Sequence, residues 1–192
     1  MNKNLKDIMK NIKTDALIPS IKIDGLATNT DRVKKNYIFF AMKGINHNGN
    51  DFIHIAFKKG ASVVLTQDKI FPVRGKIIIR VENIKETVAI IASKFYDNSA
   101  DKLFIIGVTG TNGKTSVCSL LHSILTSANI KCSQIGTLGI RKSKSFEKSK
   151  LTTPEAIELH KHFYKLKKEN YTHVVMEVSS HSIHQKRIFD IK

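Results

Sequence analysis

The hydrophobic residues in the first half of the chain form short runs that suit β-strands, with helical patterns between and after them. Three runs rich in β-branched and aromatic residues predict strands: YIFFA (37–41), ASVVLT (61–66) and KIIIRV (76–81). Asp51 and Gly60 are suited to begin and end a helix between the first two strands. Four apolar residues then follow helical spacing: Val88, Ile91, Ala92 and Phe95. These patterns predict a small α/β unit.

The second half alternates strand and helix patterns. LFIIGV (103–108) is continuously apolar, which predicts a parallel strand buried on both faces, and further strands are predicted at 131–137 and 173–178. One helical face after the first of these strands is formed by Val117, Leu120, Leu121, Ile124, Leu125 and Ala128. A polar loop (141–150) precedes a second helix, for which Thr153 is the expected N-cap. Its predicted buried face is Ala156, Leu159, Phe163 and Leu166. The alternation predicts a parallel sheet.

A short polar stretch, DNSAD (97–101), separates the two halves. Domain boundaries commonly fall in such polar connections. We therefore expect two domains, at 1–100 and 101–192.

The composition is that of a globular protein with an excess of positive charge. Hydrophobic residues make up 41% of the chain, and the formal net charge is +16. The basic residues are spread along the chain without interleaved stacking aromatics, so we expect anionic small-molecule ligands and no nucleic-acid partner. The sequence has neither a signal-peptide pattern nor an apolar run of about 18 residues, so we expect a cytoplasmic protein without membrane association. We also expect the protein to be a monomer.

A candidate phosphate-binding loop, GVTGTNGKTS (107–116), lies between a predicted strand and a predicted helix. Glycines let backbone N–H groups converge on a phosphate, a lysine can reach the terminal phosphates, and a threonine hydroxyl can bind Mg²⁺. Val108 replaces the first glycine of the strict motif, but Gly107 stands one place earlier. A simple glycine turn would explain the glycines but not the Gly-Lys-Thr at the helix start. The expected ATP-binding residues are Gly110, Thr111, Asn112, Gly113, Lys114, Thr115 and Ser116.

This loop resembles the ATP loop of the Mur ligase family, whose members join amino acids to peptidoglycan precursors. Folylpolyglutamate synthetases carry a related loop. Two further segments, LTTPEA (151–156) and MEVSSHSIHQKR (176–187), resemble the substrate segments of the Mur ligases that add the third residue. Residues 28–52 resemble the family's uridine-nucleotide domain, although Thr30-Asp31-Arg32 and Asn48-Gly49-Asn50 depart from the usual motifs.

The resemblance implies an N-terminal α/β uridine-nucleotide domain followed by the first half of a P-loop, parallel-sheet ATPase domain. In the implied reaction, ATP phosphorylates a carboxylate of UDP-N-acetylmuramoyl-L-Ala-D-Glu, and the amine of diaminopimelate or lysine displaces the phosphate. Lys114 is the implied catalytic residue, and Thr115 and Glu177 the implied Mg²⁺ ligands. The implied precursor-binding residues are Thr152, Thr153, Ser179, Gln185 and Arg187, with Asn29, Asp31, Ile45, Asn46 and His47 in the uridine domain.

A ligase of this family also has a carbamylated lysine and a C-terminal amino-acid-binding domain, neither of which can be located in these 192 residues. We therefore expect the chain to be a fragment that is inactive alone. Two alternatives stay open: a related ligase acting on another carboxylate, such as a folate or another muramyl intermediate, and a non-catalytic nucleotide-binding module.

Overall fold

The computed structural model describes residues 1–14, 16–44, 47–142, 145–149 and 151–192. The chain forms two compact units, Met1–Ile91 and Ala92–Lys192. Within the described residues, no helix is both long enough and apolar enough to cross a bilayer.

The strands of the first unit are β1 Lys3–Asn4, β2 Lys22–Ile23, β3 Gly25–Ala27, β4 Tyr37–Ala41, β5 Ala61–Thr66 and β6 Ile77–Arg80. The last four form a parallel sheet with the order β3-β4-β5-β6, and β1 pairs with β2 antiparallel in a separate sheet. Its helices are α1 Leu5–Ile8, α2 Ile53–Lys58 and α3 Ile84–Phe95, which runs into the second unit. The three strands that the sequence predicts are present. The patterns missed β1, β2, β3 and α1, which are too short to show a period.

The start of α2 differs from the prediction. Asn48, not Asp51, is the capping residue: its side chain accepts a hydrogen bond from the N–H of Asn50 at 3.1 Å, at the start of a 3-10 turn that precedes α2. Gly60 follows the helix with φ of 105°, a conformation that favours glycine, so the predicted stop is confirmed. The predicted apolar face of α3 is buried: Val88, Ile91, Ala92 and Phe95.

The second unit contains a five-stranded sheet with the order β10-β9-β8-β11-β7. Its strands are β7 Phe104–Val108, β8 Cys132–Gly136, β9 Gly139–Arg141, β10 Phe146–Glu147 and β11 His173–Glu177. Its helices are α4 Lys114–Ser127, α5 Ala156–Lys168 and α6 Ser180–His184. β7, β11 and β8 are parallel, as predicted, and the fold class is α/β.

The prediction of a loop throughout 141–150 was wrong, because β9 and β10 form an antiparallel extension of the sheet there. The connection from β8 to β9 is only two residues long, and Gly139 has φ of 122°. A turn this short returns the chain antiparallel to the strand it leaves. The described sheet is therefore mixed.

The prediction that β7 is buried on both faces was also only partly right. Ile105 packs into one apolar cluster, and Ile106 and Val108 pack into another. Within the described sheet, however, β7 pairs only with β11, and Phe104 at its start is 64% exposed. The faces of β7 are therefore only partly covered, since Ile105, Ile106 and Val108 are half-buried, and its outer edge is open in the described sheet.

α4 buries a different face from the predicted one. Cys118 and His122 are buried, and Leu121 and Leu125 pack beside the cluster formed by Cys118, Cys132 and Val175. Leu120 and Ile124 are 64% and 63% exposed. Because α4 carries apolar residues on more than one side, its period alone does not decide which side faces the sheet. For α5 the predicted buried face is confirmed: Ala156, Leu159, Phe163 and Leu166.

Candidate functional site

The glycine-rich loop connects β7 to α4 and has the backbone of an anion-binding turn. Gly110 and Gly113 have φ of 149° and 79°, which residues with a Cβ rarely adopt. Gly113 is the N-cap of α4, and no side chain accepts a hydrogen bond there. The first N–H groups of the 14-residue helix are therefore available to an anionic ligand.

Lys114, the first residue of α4, lies back over this loop. Its Nζ donates to the carbonyl oxygens of Gly110, at 2.7 Å, and Thr111, at 3.2 Å. Both hydrogen bonds join a cation to neutral acceptors, so an arriving phosphate oxygen is a stronger partner for the ammonium group. The arrangement keeps the lysine beside the loop that would hold the phosphates.

Glu177 is buried at the carboxyl end of the central strand β11. It is 1% exposed and lies in register with Val108, which ends β7 just before the glycine-rich loop. Its two carboxylate oxygens accept hydrogen bonds from one residue, Thr137: the N–H donates to Oε1 at 2.9 Å and Oγ1 donates to Oε2 at 3.0 Å. Ligands of α/β sheets bind at this edge, outside the carboxyl ends of the strands.

The surroundings of Glu177 suit a divalent cation. Among the residues that the structure describes, no lysine or arginine forms an ion pair with Glu177, although a buried carboxylate normally has a cationic partner. Burial raises the pKa of the Cys118 thiol to about 11, and the charge of Glu177 adds to the rise.

Mg²⁺ prefers hard oxygen ligands and is commonly held by one or two carboxylates together with phosphate oxygens and water. Glu177 and the Thr115 hydroxyl in the first turn of α4 are ligands of this kind. The described residues contain no cluster of three or more His, Cys, Asp or Glu that could hold a metal ion.

Thr153 does not have the predicted capping role. α5 begins at Ala156 with Glu155 as N-cap, two residues after Thr153. The fully buried Thr153 hydroxyl instead donates to the carbonyl of Glu177 at 2.8 Å and accepts from the N–H of Ser179 at 3.3 Å. It therefore joins the segment before α5 to the end of β11. Thr152 lies beside it, with its hydroxyl oxygen 3.1 Å from that of Thr137.

Arg187 connects the segment before α5 with the segment after α6. Its guanidinium donates to the carbonyl of Thr153 at 2.8 Å and, through Nε and Nη2, to Oε1 of Gln185 at 3.0 and 2.6 Å. Nη2 also forms an ion pair with Glu155 at 3.2 Å. Ser179 caps α6 by accepting from the N–H of Ser182 at 3.2 Å. The predicted ligand roles of Arg187, Gln185 and Ser179 stay predictions, while their contacts bring the two predicted substrate segments together.

The predicted uridine-binding residues lie in the first unit. The Asn29 side chain accepts from the N–H of Asp31 at 2.8 Å, and the exposed Asp31 carboxylate pairs with Lys59 at 3.2 Å. The His47 and Phe52 rings meet edge to face, with centroids 6.0 Å apart. Ile45 and Asn46 lie outside the described residues. Both Asn29 and Asp31 thus have local structural partners.

Thr137 was not among the residues that the sequence singled out. It is the last residue of the strand predicted at 131–137, and its position at that strand end is a weak signal. Its contacts with Glu177 are visible only when β8 and β11 are aligned.

Comparison with known proteins supports the same family in both units. Residues 22–96 match the family described as Mur ligase family, catalytic domain, and residues 108–192 match the Mur ligase middle domain. UDP-N-acetylmuramoyl-L-alanyl-D-glutamate--2,6-diaminopimelate ligases from Clostridium tetani and Coxiella burnetii are 38% and 36% identical to the chain. These alignments cover 98% and 100% of this chain and 40% of each relative. The chain thus spans about two fifths of the length of these relatives.

Solved structures of Mur ligases have a similar fold. A structure of a ligase with the same name superposes with a TM-score of 0.79 at 24% identity, over 98% of this chain and 38% of that one. A MurF ligase from Thermotoga maritima in complex with ADP gives a TM-score of 0.54 at 22% identity, over 81% of this chain and 32% of that one. Together with the sequence matches in both units, these similarities show that the chain belongs to the Mur ligase family.

Proposed function

We propose that this chain carries the ATP-phosphate site and part of the precursor site of a Mur ligase that adds the third residue to UDP-N-acetylmuramoyl-L-Ala-D-Glu. One observation carries the proposal. Glu177 lies in register with the residue preceding the glycine-rich loop, and hydrogen bonds connect it to Thr137 and Thr153. A phosphate loop, a carboxylate and the predicted precursor segments therefore share one edge of one sheet.

The proposed role of each residue at the site follows from the chemistry of its side chain. Lys114 and the first N–H groups of α4 would hold the phosphates of ATP, and Thr115 and Glu177 would hold Mg²⁺. When bound, Mg²⁺ would neutralise phosphate charge and orient the phosphoryl group. Thr152 and Ser179 would contact the precursor, and Arg187 would keep their segments together.

The remaining parts of the proposal rest on the sequence resemblance and, for the amino acid, on the names of the relatives. Asn29, Asp31, Ile45, Asn46 and His47 would bind the uridine nucleotide, in a domain spanning 1–100, and the ATP site would lie in 101–192. The two relatives are named for 2,6-diaminopimelate, which we therefore propose as the incoming amino acid. Because the reaction consumes ATP, we place it in the cytoplasm.

Calorimetry with ATP and Mg²⁺ tests the phosphate site. Lys114→Ala removes a cation whose hydrogen bonds to phosphate contribute about 1.5–3 kcal/mol, so we expect affinity to fall about 10- to 100-fold. Lys131→Ala, which removes an exposed lysine from the other end of the same unit, is the matched control. Equal affinities of both variants and the unaltered chain would contradict the assignment of the loop.

Binding of UDP-N-acetylmuramoyl-L-Ala-D-Glu tests the substrate class. We expect the chain to bind this precursor more tightly than UDP-N-acetylglucosamine, which lacks the dipeptide. A preference for a folate over both nucleotides would replace the proposal with the related ligase activity.

A further inference from the structure

The Glu177 carboxylate lies in a slot formed by two consecutive residues at the end of β8. Gly136 is the neighbour that makes room: a Cβ at this position would lie 2.7 Å from Cδ and 2.9 Å from Cγ of Glu177, closer than carbon atoms pack. Any larger residue at this position would displace the carboxylate. The absence of a side chain at 136 therefore sets where the carboxylate lies.

Thr137 closes the slot and sets the orientation of the carboxylate. Its N–H and its hydroxyl bind one oxygen each, at 2.9 and 3.0 Å, so the plane of the carboxylate is held at both ends. An ionised carboxylate has about four lone-pair positions, and Thr137 uses only two of them. Each oxygen keeps a lone pair for a cation.

The same hydroxyl connects Glu177 to the predicted precursor segment. The oxygens of Thr137 and Thr152 are 3.1 Å apart, and a hydroxyl has a single proton to donate. Because the Thr137 proton goes to the Glu177 carboxylate, Thr152 is the donor toward Thr137. The order of donation is Thr152 to Thr137 to Glu177, which leaves the Thr152 oxygen only as an acceptor for other groups.

We propose that Thr137 is a positioning residue that, with the space left by Gly136, holds the Glu177 carboxylate for a divalent cation bound together with ATP. The proposal rests on the metal role given to Glu177 under the proposed function. It adds a residue that touches neither ATP nor the precursor and acts through Glu177. It also predicts that the group of the precursor facing Thr152 is a hydrogen-bond donor.

Mn²⁺ is the probe for the test, because its paramagnetism reports binding directly, without turnover. Affinity of Mn²⁺ for the 192-residue chain saturated with ATP is measured by electron paramagnetic resonance. Removing a partner that orients a metal ligand typically lowers metal affinity 10- to 100-fold. We expect a loss of about this size for Thr137→Val, which keeps the backbone N–H but removes the hydroxyl, and recovery in Thr137→Ser, which restores the hydroxyl.

Two further variants distinguish a specific effect on the Glu177 slot from a general loss of stability. Gly136→Ala removes no donor but crowds the carboxylate, and we expect it to lower Mn²⁺ affinity as Thr137→Val does. Thr126→Val makes the same substitution on α4, where the hydroxyl donates to the carbonyl of His122 in its own helix at 2.6 Å, and should leave affinity unchanged. Thr137 is exposed, so its variants are expected to fold, and thermal denaturation of every variant checks this.

Glu177→Gln distinguishes failure of this inference from failure of the proposed function. If Glu177→Gln leaves Mn²⁺ affinity unchanged, Glu177 is not a metal ligand, and both its metal role and the positioning role of Thr137 are wrong. If Glu177→Gln abolishes binding while Thr137→Val and Gly136→Ala keep the original affinity, the metal role stands and the positioning role is wrong. If Thr137→Ser binds as weakly as Thr137→Val, the hydroxyl is not the orienting group.

Discussion

Replacing Thr153 by valine tests whether one buried hydroxyl joins the two predicted substrate segments. Valine has nearly the shape of threonine, so packing is kept while two hydrogen bonds are lost. The carbonyl of Glu177 loses its donor at 2.8 Å, and the N–H of Ser179 loses its acceptor at 3.3 Å. Thr153 is fully buried, so water cannot replace the hydroxyl at its own position.

The expected loss of stability follows from these two groups. A buried carbonyl left without a donor costs about 1–3 kcal/mol, and losing the hydrogen bond of the half-buried amide costs about 0.5–1.5 kcal/mol. The added methyl group returns about 0.8 kcal/mol. The net loss is therefore about 1–4 kcal/mol. For a unit of about 100 residues, each 1 kcal/mol lowers Tm by about 4–8 °C, so we expect a fall of at least about 4 °C.

Thermal denaturation followed by circular dichroism measures the change, with Thr152→Val as the matched control. The Thr152 hydroxyl is half-buried and, among the described residues, forms a side-chain hydrogen bond only with that of Thr137, so its removal should cost less than about 1 kcal/mol. If the two variants lower Tm equally, the buried hydroxyl bridge does not have the stabilising role that its geometry assigns to it.

Two further predictions concern pH and the exposed face of α4. Burial lowers the pKa of His160 to about 4, although the negative charge of Asp101 acts in the opposite direction. The unfolded state therefore binds more protons than the folded state below about pH 6.5, and the protein loses stability as the pH falls from there toward 4. His160→Leu should shrink the difference between the free energies of unfolding at pH 7 and pH 5, measured in urea, and an unchanged difference would contradict this. Leu120→Lys with Ile124→Lys, studied by the same urea denaturation, tests whether this face of α4 packs within the chain, because both side chains are more than 60% exposed. The free energy of unfolding should change by less than about 0.5 kcal/mol, and a larger loss would show that this face packs within the chain.

Features that depend on neighbouring residues could be predicted from the sequence. The strands β4, β5, β6 and β7 each lie in a run rich in β-branched or aromatic residues. The glycine-rich loop was found because its glycines, Lys114 and Thr115 are consecutive between a strand and a helix. The apolar face of α5 was predicted correctly because its opposite face is rich in lysine, so only one side could be buried.

The tertiary structure decided what depends on distant residues. α4 has apolar residues on several sides, and only contact with the sheet selects Cys118 and His122 as the buried ones. The position of Thr153 before α5 suits an N-cap. In the structure its hydroxyl instead bonds the carbonyl of Glu177 and the N–H of Ser179 near the end of β11, and α5 starts later, at Ala156. Thr137 and Glu177 are 40 residues apart, and they meet because parallel pairing aligns the carboxyl ends of β8 and β11. A sequence pattern carries no such register, because pairing between strands depends on how whole elements pack.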